Sequence, residues 1–141
     1  MKRQSPIWKK HKMNPLIELD NKKLYLTLNI VEYDFMSLVS CCKDEDDQQY
    51  LCLLADTRGG IVWVVGKTDN PTLKQLLQLD ITLNEAITKY EPLFVVRFTA
   101  KDGFSYEEVI KDTIDPLLLA EEDLYMEYIE EEAEEWLKQE G

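Results

Sequence analysis

The sequence predicts an α+β protein: an antiparallel sheet of about five strands, short helices inserted after it, and a long acidic C-terminal helix covering one face. Three observations carry that expectation. Short apolar runs with period-two alternation fill residues 16–67, cap-and-proline signatures follow Lys67, and an amphipathic, carboxylate-rich segment closes the chain.

The chain starts "MKRQSPIWKKHKMNP", with five Lys/Arg, the single histidine His11, Pro6 and Pro15, and no sustained periodicity. Residues 1–15 therefore read as an extended basic arm, with Trp8 an exposed anchor or a lid on the core. Residues 16–141 read as one α+β domain. Its strands begin with "LIEL" and "KLYLTLNIV", in which Leu24, Leu26, Leu28 and Ile30 alternate with polar partners. "FMSLVSCCK", "QQYLCLLAD" and "GGIVWVVGK" follow, joined by the hairpin loop "KDEDDQ" and by "DTRGG", where Gly59 and Gly60 supply the positive φ of a tight turn.

Past Lys67 the signals are helical. Asn70 before Pro71 suits a cap with proline at the first helical position, and Leu73, Leu76 and Leu77 give that helix an apolar face. Thr82 and Glu85 form a capping box opening a second short helix. After the strand "PLFVVRFT" and the turn "AKDG", Ser105 and Glu108 predict a further capped helix. Asp115 and Pro116 then open the last helix, expected over about 116–138. On a 100° wheel it places Leu117, Leu118, Tyr125, Tyr128, Ile129 and Trp136 with Leu124 on one face, and Asp123, Glu127, Glu130, Glu131 and Glu134 opposite.

At 141 residues and 45% hydrophobic, the chain has material for one core. Its apolar runs stop short of a bilayer span and its start has no secretory h-region, so a cytoplasmic protein without membrane contact is expected. Cys41, Cys42 and Cys52 are an odd number with two adjacent, as befits reduced core thiols. Charge is segregated: residues 1–23 sum to +5, residues 24–106 to −5 and residues 107–141 to −12. Such a surface repels phosphate, so direct nucleic-acid binding is disfavoured and a basic partner is favoured.

Signatures of catalysis fail on spacing. "GKT" at Gly66–Thr68 ends a strand and lacks the upstream glycine of a phosphate loop. "DEDD" at Asp44–Asp47 lacks the glycine and glutamate of a calcium loop, since Gln49 and Ala55 stand there. One histidine in a basic arm makes no nucleophile–base pair. No catalytic residue, metal site or cofactor is assigned.

"YLCLLADTRGGIVWVVGKTDNPTLKQLLQLDITLNEAI", Tyr50 to Ile87, resembles a family of small bacterial domains of unknown function. The shared elements are a strand hairpin, a leucine-bearing helix at Thr72-Leu73 and Leu76-Leu77, and an Ile81-Thr82-Leu83 turn with Glu85. The resemblance implies no catalytic residues.

The function expected is that of a non-enzymatic acidic module binding a basic protein surface through Asp123, Glu127, Glu130, Glu131 and Glu134. In its most concrete form it is a phage or mobile-element inhibitor blocking the nucleic-acid-binding surface of a host defence protein, its carboxylates imitating a phosphate row. The alternatives are an immunity or adaptor protein whose acids only solubilise it, and a small-ligand binder with a pocket between sheet and helices. A discriminating argument is cost: acids in the last turns of a long helix oppose its dipole and one another.

Overall fold

The computed structural model describes residues 14–140. Among them, β1 (Ile17–Leu19), β2 (Lys22–Tyr33), β3 (Met36–Lys43), β4 (Gln49–Asp56), β5 (Ile61–Thr68), β6 (Leu93–Thr99) and β7 (Gly103–Val109) form one sheet in sequence order. Every neighbouring pair is antiparallel. The sheet curls until β1 approaches β7, giving a nearly barrel-shaped body. Among the described residues, helix is confined to α1 (Asn70–Leu77), α2 (Leu83–Ile87), α3 (Glu131–Glu140) and a 3-10 turn at Pro116–Leu118. The α+β expectation of about five strands and a long C-terminal helix is therefore corrected to a seven-stranded, mostly β architecture with short helices.

Alternation gives each strand two faces. Ile17, Leu24, Cys42, Tyr50, Cys52, Trp63, Val65, Phe94 and Val96 meet on the face enclosed by the curl. Trp63 stacks on Phe104 with ring centroids 6.1 Å apart. The opposite face presents Leu28, Ile30, Val39, Cys41, Leu51, Val64 and Val95 to Leu73, Leu76, Leu83 and Ile87 of α1 and α2. Gly66 permits this packing, because a Cβ there would overlap the carbonyl oxygen of Ile87.

One strand changes face. The expected alternation put Leu24, Leu26, Leu28 and Ile30 together, but Leu26 lies opposite Cys42 and Leu28 opposite Cys41, which leaves Thr27 as an extra residue. A bulge of this kind reverses side-chain direction. Leu24 therefore joins the enclosed core, Leu28 and Ile30 join the helix-covered one, and Leu26 is exposed. The Thr27 hydroxyl donates to the Cys41 carbonyl at 3.1 Å and holds the bulge.

The turns follow their local chemistry. Asp20-Asn21 and Asp34-Phe35, all at positive φ, make two-residue hairpins. Gly60 alone of the "DTRGG" glycines takes a positive φ, +126°. The cap of α1 is Asp69, one residue earlier than expected, and accepts from the Thr72 amide at 2.8 Å. The capping box of Thr82 and Glu85 forms as expected. Ser105 and Glu108 do not cap a helix: they lie within β7, paired with Arg97 and Phe94 of β6. Here the Phe104 and Tyr106 side chains pack against rings of the neighbouring strands and sheet pairing prevails over the local signal.

The segment expected as one long helix is broken between the 3-10 turn and α3. Tertiary hydrogen bonds draw its backbone out of a helical path. The Leu83 amide donates to the Leu124 carbonyl at 2.9 Å, and the Asn84 side chain to the Ala120 carbonyl at 3.0 Å. Further on, the Glu130 amide donates to the Ile30 carbonyl at 2.8 Å. Met126 and Ala133 are buried, while Leu117, Leu124, Tyr125 and Tyr128 of the expected apolar stripe are exposed.

Candidate functional site

The acidic tail meets the sheet at β2. β1 pairs with Lys22–Leu24, and further along β2 the C-terminal segment bonds to Asn29, Ile30 and Glu32. The Glu132 carboxylate accepts the Asn29 amide, and the Glu130 carboxylate accepts the Glu32 amide at 3.1 Å. Two acids thereby serve as hydrogen-bond partners of a strand edge.

Between β2 and α3 opens a cleft of about 450 Å³ lined by Asn29, Glu32, Glu130, Glu131, Glu132 and Glu135. Glu131 and Glu135 stand four residues apart on one face of α3, and Glu32 faces them from the sheet. The Asn29 amide nitrogen donates to Glu32 at 3.3 Å, but its Oδ1 is buried with no donor among the described residues. So is Oγ of Ser37, which pairs with Glu32 across β2 and β3. The charge of Glu130 raises the Tyr128 phenol above its ordinary value, with lesser contributions from desolvation and Glu134. The cleft offers mostly acceptors, with the Asn29 side-chain amide as a donor among its lining residues. That suits an ammonium or guanidinium group. Among the described residues no group of three or more His, Cys, Asp or Glu is placed to hold a metal ion.

Of the residues expected to bind a partner, Glu130 and Glu131 line the cleft, Glu134 is exposed on α3, and Asp123 and Glu127 lie exposed on the irregular segment before it. Because the expected helix is broken, Asp123, Glu127 and Glu130 lie outside α3 and the five do not share one helix. The argument from dipole cost also fails, since Glu131, Glu132 and Glu134 occupy the first turn of α3, where negative charge is favourable. Glu32, Glu132 and Glu135 join the site without having been singled out. Glu32 comes from a strand 98 residues away from Glu130, a juxtaposition no local pattern encodes.

Other chemically suggestive groups are committed to structure. Cys41, Cys42 and Cys52 are free and buried; burial pushes the Cys41 thiol up to about 12, and a hydrogen bond with Cys42 together with burial raises Cys52. Both effects disfavour the thiolate, the nucleophilic form. Thr72 donates to Asp69 at 2.6 Å and accepts from Lys89 at 2.9 Å, an arrangement reminiscent of an activated hydroxyl, but Thr72 is fully buried. Asp44 of the "DEDD" tip turns inward to bind the amides of Asp46 and Gln48 and the Tyr50 hydroxyl. Gly66, Lys67 and Thr68 pair with β4 in the ladder rather than cradling phosphate.

A second concavity, of about 330 Å³, is apolar. Val31, Val39, Leu53, Leu83, Leu118 and Met126 are among its walls, between the sheet, α2 and the 3-10 turn.

Comparison with protein-family models, with curated proteins and with solved structures gave no match. The resemblance over Tyr50 to Ile87 rests on its residues alone. Among the described residues no helix is long and apolar enough to cross a membrane.

Proposed function

We propose that this protein is a non-enzymatic acidic module that binds a basic protein surface, as an inhibitor occupying the nucleic-acid-binding groove of a host defence protein would. The observation that carries the reading is the cleft, lined by five carboxylates with no basic side chain among its described lining residues. Residues 14–140 carry all twenty-eight acids against eleven Lys/Arg, and only three ion pairs are found among the described residues. Most of that charge is free to act outward, where it steers and orients a cationic partner. The site on this reading is Glu32, Glu130, Glu131, Glu132 and Glu135, extended by Glu134, rather than a straight row including Asp123 and Glu127.

The test is competition. A panel of defence nucleases is assayed for duplex binding with added protein, wild type or carrying Glu131→Lys with Glu135→Lys. Reversal of Glu131 in the first turn of α3 opposes the dipole and reversal of Glu135 replaces its pair with Lys138 by a like-charge contact, together about 1–2 kcal/mol, so retention of the fold is checked by circular dichroism. Wild type should displace duplex from its target in a salt-sensitive manner and the reversed variant should not. Equal displacement by both would remove the cleft from the function.

The apolar concavity favours a second reading, a binder of a small apolar ligand between sheet and helices. Saturable enhancement of an apolar fluorescent probe, abolished by Leu53→Glu, would support it; a linear, unsaturable response would count against it.

A further inference from the structure

We infer that this chain associates as a two-fold dimer in which Phe35 of each copy fills the apolar concavity of the other. Phe35 stands at the tip of the β2–β3 hairpin, 96% exposed, with φ +64° after +51° at Asp34. A two-residue turn with both φ values positive favours glycine at its second position, where a bulky side chain is strained. At that exposure the ring gives its own fold almost no packing. Tyr33 and Met36, which flank the turn and pair with each other, are exposed as well. An aromatic in glycine's place, standing clear of the protein that carries it, is built for contact with another surface.

The socket lies on the same hairpin. Val31 is opposite Val39 and Glu32 opposite Ser37, so Leu38 is an extra residue, and this bulge brings Leu38 and Val39 together into the wall of the concavity. Leu117, 89% exposed, is among its lining residues, and every described lining residue is apolar. Phe35 and Leu38 are ~10 Å apart along the strand at about 3.3 Å per residue. Knob and socket so close together meet their counterparts across one two-fold axis, which closes the contact at two copies instead of propagating it. Two buried aromatics cover ~300–400 Å², and since each copy gives up a socket as well as a knob the contact reaches ~600–800 Å² per copy, the size of an ordinary specific interface. Charge selects the same surface: each chain carries a formal −12, so two copies approach best through a patch free of acids, as the concavity is. A second copy and the small apolar ligand considered above exclude one another, and the acidic cleft takes no part.

Sedimentation equilibrium of the full chain from about 1 μM to about 1 mM tests the inference. Wild type should show a monomer–dimer equilibrium that tightens as salt screens the like charges. Phe35→Gly should weaken it about 30-fold or more, as loss of a buried aromatic anchor does. The urea midpoint of that variant should rise, because glycine relieves the turn, so the lost association is not unfolding. Leu117→Glu, at an exposed position, should weaken the dimer at least about tenfold by placing a charge in the socket. An equimolar mixture of the two variants should associate more tightly than either alone, since the mixed dimer regains one knob in one intact socket. Phe35→Gly keeps every cleft carboxylate, so displacement of duplex by this variant separates the dimer from the acidic site. A monomer throughout the range, a dimer that Phe35→Gly leaves unchanged, or a mixture no tighter than its components would overturn the inference. So would a monomer that binds an apolar probe saturably, which would give the concavity to a small ligand.

Discussion

Asp44 should be the most costly carboxylate in the protein to remove. It is 1% exposed; its Oδ1 accepts the amides of Asp46 at 2.9 Å and Gln48 at 3.0 Å, and its Oδ2 accepts the Tyr50 hydroxyl at 3.1 Å. Tyr50 is itself 1% exposed, and burial together with the Asp44 charge raises its phenol, so the hydroxyl remains a donor. Alanine at position 44 strands all three donors. A hydrogen bond to a charged group contributes about 1.5–3 kcal/mol when its partner cannot reach water. The two amides sit at the hairpin tip and regain some solvent, so the Tyr50 donor dominates and the sum comes to about 3–4 kcal/mol. Asparagine keeps an acceptor for the amides but turns its NH2 toward the Tyr50 hydroxyl, whose proton then has no acceptor, so the loss is about 2 kcal/mol. Urea unfolding followed by tryptophan fluorescence reads both. With an m-value of about 2 kcal/mol/M, Asp44→Ala should move the midpoint down by about 1.5–2 M and Asp44→Asn by about 1 M. An alanine variant within about 0.5 kcal/mol of wild type, or an asparagine variant as unstable as alanine, would refute the account of this turn.

Two further outcomes follow from the core and the caps. Trp63→Ala should cost about 3–5 kcal/mol, because the ring is 6% exposed and stacked on Phe104; unchanged melting would contradict the enclosed core. Partial burial raises the Asp69 carboxyl, but hydrogen bonds from Thr72 and Tyr90 outweigh that and hold it below its ordinary 3.8. A depressed folded value means the carboxylate stabilises fully above pH 3.8 and loses that contribution as pH falls below it. Asp69→Asn should accordingly flatten the stability–pH curve in that acid range, and an unaltered slope would show that the cap does not titrate with folding.

The strands were legible because their signal is local. Period-two alternation and short apolar runs located β1 to β6, an acid-rich hairpin separated β3 from β4 and a glycine-bearing one β4 from β5. What escaped was decided at a distance. Ser105 and Glu108 spell a capping box, yet their backbone pairs with β6. Leu26 fits the alternation of its strand, but the extra residue Thr27 changes which face its neighbours reach. The last segment has good helix formers and a one-sided wheel. Its backbone nonetheless bonds to Leu83, Asn84 and Ile30, residues that a helical wheel does not contain. For the same reason only Glu130 and Glu131 of the expected binding face belong to the cleft, and Glu32 could be found only once β2 and α3 were in contact.

The two carboxylates that finish the edge of β2 also set a timetable. Each strand of the sheet pairs with the one made just before it, so the meander can grow as the chain leaves the ribosome. The amides of Asn29 and Glu32 are the exception, waiting for Glu132 and Glu130, 103 and 98 residues later. At about 5–20 residues per second, that edge stays uncapped for ~5–20 s of synthesis. Until then β2 is an accessible strand on a half-made protein, and the final turns of the chain are what close it to strands from other molecules.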